Sequence, residues 1–483
     1  MTAPPLRAQE AADPPGRVAR VGVALGLVSL QPAGSDTWIG DVLNRPLTTG
    51  DKLWVDRESR VELDVGSATV RLGSETGVEL LNLDDRTTQL KLTVGTLSMR
   101  VRTLGPDQTF EVATPSAAVS LLEPGDYRVD VNEAGDALTV AALRGQVAVT
   151  AGNDAVTLSA GEELQYSGGE LADAGITSLS PADAFDQWAA DRDAREDRAV
   201  ATRYLSPDVT GYQDLDDYGS WQAVDNYGPL WIPTVGVGWA PYRNGHWAWV
   251  SPWGWTWIDA APWGFAPFHY GRWVNLGGSW GWAPGPRQYA PVYAPALVGW
   301  AGGAGWSMGV SAAAVEPAVA WFPLGWNEMY VPAYPVSNTY VRNVNVTNTR
   351  VSNEDMTSYF ANRSAVGSAA PGRPNTAGRG LAPLGIQYRN LAVPGAVTAT
   401  TRTAFIAAEP VQQHRADAPP EALARGSAST APPAMAPSAQ SIGRRAEFTP
   451  RLAPELWNRP VIARTAPPPA PVPFEQQRRA VIA

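Results

Sequence analysis

The chain of 483 residues contains no cysteine. Disulfide frameworks, thiolate zinc sites, cysteine nucleophiles and an N-terminal lipid-bearing cysteine are therefore excluded, although the absence assigns no redox compartment. Histidine is almost as scarce: His246, His269 and His414 are the only three, too few without cysteine to read as a metal centre. Basic charge is not in excess either. The formal net charge is −10, which argues against nucleic acid as a partner, since phosphate binding needs a basic face. Long apolar runs are missing. Val18 to Leu30 is short and carries Arg20, while the uncharged stretch between Arg287 and Glu316 is broken by Pro291, Pro295 and five glycines, so no transmembrane span is expected. Residues Met1 to Glu10 lack the basic and apolar regions of a complete signal peptide, but Pro4-Pro5-Leu6-Arg7-Ala8-Gln9 fits the tail end of one. Residues 1–16 thus read as a disordered leader or a signal-peptide remnant.

What the chain does have is tryptophan, and most of it in one place. Sixteen of 20 lie between Trp221 and Trp326. Gly219-Ser220-Trp221, Gly245-His246-Trp247 and Gly271-Arg272-Trp273 recur at 26-residue intervals. Each is followed by a second element, Gly228-Pro229-Leu230-Trp231, Gly254-Trp255-Thr256-Trp257 and, one residue late, Gly281-Trp282. A repeat of this length is one supersecondary unit that buries its apolar face against its neighbours. Residues 212–340 form this repeat module.

Residues 17–166 read as strands. Val61, Leu63 and Val65 alternate with Glu62 and Asp64, and Tyr127, Val129 and Val131 with Arg128 and Asp130. That is period two, with one face buried and one wet, and the acids and bases are expected on the wet face. A sandwich, a jelly roll and a β-solenoid all fit. Leu47-Thr48-Thr49-Gly50-Asp51, Gly66 to Gly73, Gly95-Thr96-Leu97, Phe110 to Pro115, Pro124 to Val129 and Arg144-Gly145-Gln146-Val147 together resemble the FecR domain of bacterial envelope proteins. The resemblance implies a periplasmic address and, in many relatives, the sensing half of a regulator that acts on a sigma factor. Neither a cytoplasmic anti-sigma segment nor a membrane helix precedes the domain here, so only the extracytoplasmic, periplasmic or secreted, address is carried over as an expectation.

A linker helix is expected over residues 178–204, with Ser180 as N-cap, Pro181 at the first helical position and Asp183 completing a capping box. Phe185 and Trp188 share a face, and the rest, Asp191 to Arg198, is of mixed charge, so the helix reads as a solvated spacer pinned at one end. The tryptophan module, through Gly238-Trp239-Ala240-Pro241-Tyr242, Pro262 to Trp273, Trp280 to Gly285 and Trp321 to Gly325, resembles an uncharacterised Trp/Gly/Pro-rich domain that follows FecR domains in secreted bacterial proteins. That family brings no activity with it. Residues 341–411 read as an extended, partly ordered continuation.

Aliphatic side chains are scarce between Trp221 and Trp282, so the indoles must form the core. Core packing alone accounts for the pattern; the alternative, suggested by the glycines beside the rings, is a core in which some ring faces stay uncovered. Trp255, Trp257, Trp273 and Trp282 are the expected exposed rings, a platform for an envelope polysaccharide or a protein partner, with Arg243, His246, His269 and Arg272 as surrounding donors. Repeat alignment sets each of these histidines opposite an arginine, which weakens any metal reading. With no nucleophile motif in strand-turn-helix context, no enzyme and no cofactor is expected. Residues 412–483 are Ala/Pro/Arg-rich and read as a disordered tail. The chain is thus expected to be mainly β, a non-catalytic extracytoplasmic binding or scaffold protein. The alternative is a FecR-like signal-regulating module of an envelope response; an unrecognised hydrolase ranks behind both.

Overall fold

Alternating apolar and polar residues in the first third of the chain fold into one sixteen-stranded sheet. The computed structural model describes residues 13–168, 171, 174–301, 307–311, 314–365, 388–416, 428–430, 432, 435–446 and 454–482. Residues 1–12 of the expected leader lie outside them. Strand Thr87–Val101 is the spine of the sheet. Its first half pairs with Thr76–Leu83 and, in parallel, with Thr109–Ala113, and its second half with Ala68–Leu72 and Gly125–Val131. Gly95 divides the halves at φ +101, where a Cβ would lie 2.3 Å from the Thr76 hydroxyl, so no side chain fits there. Residues from both halves, among them Val21, Leu63, Val70, Val112, Val119 and Leu164, share one apolar cluster. Tyr127, Val129 and Val131 point into it, as their alternation demands.

The 26-residue repeat is a β-hairpin used three times. Its strands are Gly219–Val224 with Gly228–Pro233, Gly245–Val250 with Gly254–Asp259, and Arg272–Asn275 with Trp280–Ala283. In register, each hairpin sets one tryptophan directly across from another: Trp221 from Trp231, Trp247 from Trp257, Trp273 from Trp282. Such cross-strand aromatic pairs are a main source of hairpin stability. Trp300 and Trp321 make a fourth pair on strands Val298–Ala301 and Ala314–Pro323, which the repeat spacing did not reveal.

Three expectations are corrected. The linker helix spans Ala184–Asp197 and is capped by Asp183, whose side chain and that of Asp186 form the capping box; Ser180 instead bonds Glu163. Phe185 is buried as the pinned end requires, but the charged run is not solvated throughout, because Glu196 is buried as well. Within 341–411 the chain is helical at Asn338–Val346, Asn353–Ala365 and Arg402–Ile406, and Thr398–Thr401 adds a strand to Ala314–Pro323. The described parts of the 412–483 region are not a free tail. Ile442 and Phe474 belong to the apolar cluster of the β domain, and Trp457 packs with Trp54 and Val94; few apolar residues suffice when each finds a cavity in a preformed sheet.

Candidate functional site

The glycine of each Gly-x-Trp element explains the tryptophan packing. A Cβ on Gly219, Gly245 or Gly271 would come within 2.5 Å of the Trp231 ring, 2.7 Å of the Trp257 ring and 2.5 Å of the Trp282 ring, respectively. The missing side chain therefore admits the facing indole onto the backbone and covers it. Trp255, Trp257, Trp273 and Trp282 are 8%, 0%, 1% and 0% exposed, so the four rings expected to face solvent are core. Trp282 donates its indole N–H to the Tyr270 carbonyl at 2.8 Å, and Trp257 donates to the Asp259 carboxylate at 3.1 Å. Trp257 also packs edge-on against Trp247 and Tyr242, and Trp255 against Trp249 and Phe405.

The four donor residues do not surround a common surface. Arg272 is buried and donates to the carbonyls of Glu328 and Gly271 and to the Asn345 side chain, at 2.8–3.1 Å; burial lowers it to about 10. It ties the third hairpin to helix Asn338–Val346. His269 is fully buried, bonded through Nδ1 to the Ala294 carbonyl at 2.8 Å and stacked on Tyr293. Burial pushes it down to about 3, so it is neutral. His246 is half-buried, and desolvation together with Arg45 lowers it to about 4. Arg243 donates to the carbonyls of Gly238 and Gly395. None of the cation–ring contacts among the described residues uses Arg243 or Arg272; Arg20 over Phe265 is the one that joins the β domain to this module.

The densest polar cluster lies elsewhere, under the linker helix. Glu62, Asp64 and Arg71, expected on the wet face, are 1%, 1% and 0% exposed. Arg71 meets Glu62 at 2.7 Å, Asp193 at 2.9 Å and Glu196 at 3.4 Å. Arg192 meets Glu62 at 2.5 Å, and Arg102 meets Glu196 at 2.5 Å. Arg20 bridges Asp64 at 2.7 Å and Asp214, which also pairs with Arg195 at 3.0 Å. The helix thus supplies Arg192, Asp193, Arg195 and Glu196 to a network that the sheet and the start of the tryptophan module complete. Burial favours neutral Glu62, yet Arg192 and Arg71 hold it below the usual carboxylate range. Burial, reinforced by Glu62, raises Glu196. Burial also raises Asp64 against the pull of Arg20.

Carboxylate oxygens of Glu62, Asp64 and Glu196 lie within 4.8 Å of one another. Each already accepts from a guanidinium, so a cation there would have to displace arginine. The arrangement is a buried ionic tie between the sheet, the linker helix and the start of the tryptophan module. A second tie completes it: the Asn44 side-chain amide donates to the carbonyls of Asp259 at 3.0 Å and Ala261 at 2.6 Å, joining the β domain to the second hairpin. Sequence reasoning passed over this cluster. Its one signal was the run of mixed acids and arginines in the helix, matched by charges at alternate positions of Arg60–Val65 and by Arg71 in Ala68–Leu72.

Residues 51–148 match the FecR protein family, and residues 212–328 match a family of unknown function, DUF6600. The chain carries a FecR domain followed by a DUF6600 domain. The FecR match covers the strands that bear Glu62, Asp64 and Arg71, and the DUF6600 match covers all three tryptophan hairpins. No curated protein matches the sequence. Among solved structures, two crystal structures of a protein designated an anti-sigma factor from Parabacteroides distasonis are similar at 16% identity. One covers 27% of this chain and 59% of its own with a TM-score of 0.23, the other 29% and 64% with 0.24. The chain thus spans less than two thirds of those proteins. No described helix is long and apolar enough to cross a membrane.

Proposed function

We propose that this protein is a non-catalytic, extracytoplasmic module that regulates an envelope signal by binding another protein. The carrying observation is the FecR match at residues 51–148, in a sheet whose charged face is closed by the linker helix and joined to the DUF6600 region by ion pairs at Asp214 and by the hydrogen bonds of Asn44 to the second hairpin. A sensor of this build passes on a change in docking between its parts, because a buried network tolerates few intermediate arrangements. The polysaccharide platform has lost its support, since the four tryptophans chosen for it are covered. Three measurements test the proposal. Fractionation of cells expressing the gene with its natural upstream region places the protein outside the cytoplasm. Deletion of the gene alters transcription of envelope-response genes, and in-cell crosslinking recovers a protein partner. A cytosolic location, or an unchanged transcript profile under envelope stress, overturns the reading.

A further inference from the structure

The segment Pro454–Ile482 lies on the FecR-like sheet as a ligand lies on a receptor. Among its described side chains, Trp457 and Phe474 are the two that are buried; the stretch from Arg464 to Ala470 is exposed throughout. Trp457 inserts beside Trp54, Val94 and Trp38, with its ring 5.4 Å from that of Trp38, and Lys91 donates to its carbonyl at 2.8 Å. Two residues on, the Arg459 guanidinium caps the carbonyls of Thr93 and Glu133, both at 3.0 Å. Gly135 makes room for it, since a Cβ there would lie 2.1 Å from the guanidinium. Ile462 then adds a single antiparallel bridge, its N–H donating to the Thr114 carbonyl at 2.9 Å.

The receptor side is built for an extended backbone. Glu111 is 1% and Gln89 is 0% exposed. The Glu111 carboxylate accepts the successive backbone N–H groups of Arg464 at 3.1 Å and Thr465 at 3.3 Å. Gln89 donates to the Thr465 carbonyl at 2.7 Å and to Glu111 at 3.0 Å, and its own side-chain oxygen has no partner among the described residues. A buried carboxylate that takes two of its donors from main chain recognises conformation more than side-chain identity, as peptide grooves do. Side-chain selection falls to the Trp457 cavity and the Arg459 carbonyl pair. Beyond them the proline-rich run crosses the surface, passes Gly50 at Pro471 and ends where the Phe474 N–H donates to the Gly34 carbonyl at 2.9 Å.

We propose that this face of the FecR-like domain is a peptide-binding groove, that the C-terminal segment is its resident ligand, and that it accepts in exchange an extended segment of a partner protein carrying an aromatic residue followed two positions later by arginine. Anchoring at two aromatic residues with an exposed stretch between them is what allows such an exchange, since Phe474 is the one side chain of the segment that leaves the apolar cluster of the sheet, among the described residues. The groove rests on these contacts and not on the signalling reading, so either can fail alone.

The test uses the full chain with a specific protease site placed within residues 447–453. After cleavage, fluorescein-labelled peptide 454–482 should exchange into the protein with a saturable rise in anisotropy. The same peptide carrying Trp457→Ala should bind at least ~10-fold more weakly, as expected for loss of a buried aromatic anchor, and the uncut chain should take up neither at the same concentrations. In the intact chain, Trp457→Ala should speed amide exchange across 457–474 while strand Thr87–Val101 stays protected. Failure of the cut protein to bind labelled peptide, equal binding of the two peptides, or loss of protection throughout the sheet in the Trp457→Ala chain would each overturn the proposal and make the segment an integral part of the fold.

Discussion

Removing Arg71 tests whether the buried network locks the linker helix to the FecR-like sheet. Its side chain is fully buried and pairs with Glu62 at 2.7 Å, Asp193 at 2.9 Å and Glu196 at 3.4 Å. At an effective dielectric constant of ~20, unit charges at the longest of these separations attract by about 5 kcal/mol. Much of that is offset by the desolvation of the guanidinium, which the substitution relieves. What remains is the cost of leaving Glu62 and Glu196 buried with one cation fewer, and Arg71→Ala should therefore destabilise by about 3–5 kcal/mol near neutral pH. The loss should shrink as pH falls, because burial and Glu62 already raise the Glu196 carboxyl, and protonation removes the uncompensated charge. Adding Glu196→Gln to Arg71→Ala should recover part of the loss, since the two side chains share one network. Urea titration followed by far-UV circular dichroism at pH 7.5 and pH 5.5 reads each effect. A loss below about 1 kcal/mol, or one indifferent to pH, would refute the claim that the charges are mutually dependent and buried.

Asp259 should impose a pH dependence of its own. Burial raises its carboxyl to about 8 from 3.8, so between those values the folded state keeps a proton that the unfolded state has lost. Stability should fall by up to about 1.4 kcal/mol per pH unit as pH rises through that window and level off above it. Asp259→Asn should flatten the trend, as urea midpoints at pH 5, 6.5 and 8 will show. Trp273→Ala should cost about 3–5 kcal/mol by opening a cavity in the tryptophan cluster, and acrylamide should quench the bulk of the wild-type indole fluorescence poorly; ready quenching would contradict the buried arrangement. Gly245→Ala should destabilise the second hairpin by more than ~1 kcal/mol, beyond the usual surface substitution, because its Cβ would meet the Ile258 carbonyl oxygen at 2.3 Å. A thermal melt unchanged from wild type would remove the steric reason for the repeated glycine.

The repeat and the alternation carried most of the local structure. A 26-residue period in Gly-x-Trp elements marks one unit used three times, which the fold realises as hairpins, the third with shorter strands, that set Trp221 across from Trp231, Trp247 from Trp257 and Trp273 from Trp282. Period two in residues such as Tyr127, Val129 and Val131 likewise encodes strands and their inward faces. Which faces stay wet was a different matter. Alternation marks Glu62 and Asp64 as polar, but they are buried because Arg192 and Glu196, more than 125 residues later in the chain, come down on them. The same holds for the tryptophans. Glycine beside an indole reads locally as an uncovered ring, whereas in the fold the missing side chain is the space that the facing strand's indole occupies. Trp457 and Phe474 are solitary aromatics in a proline-rich sequence, and their burial depends on cavities made by Trp54, Val94 and the apolar cluster of a distant sheet. Local pattern is set by the repeat of the backbone, so the sequence alone determined the strands of residues 17–166 and the 26-residue unit of the tryptophan module; pairing and burial are set by whatever else reaches a strand or a surface, so tertiary structure alone decided which tryptophans face each other and which charges, rings and chain segments are enclosed.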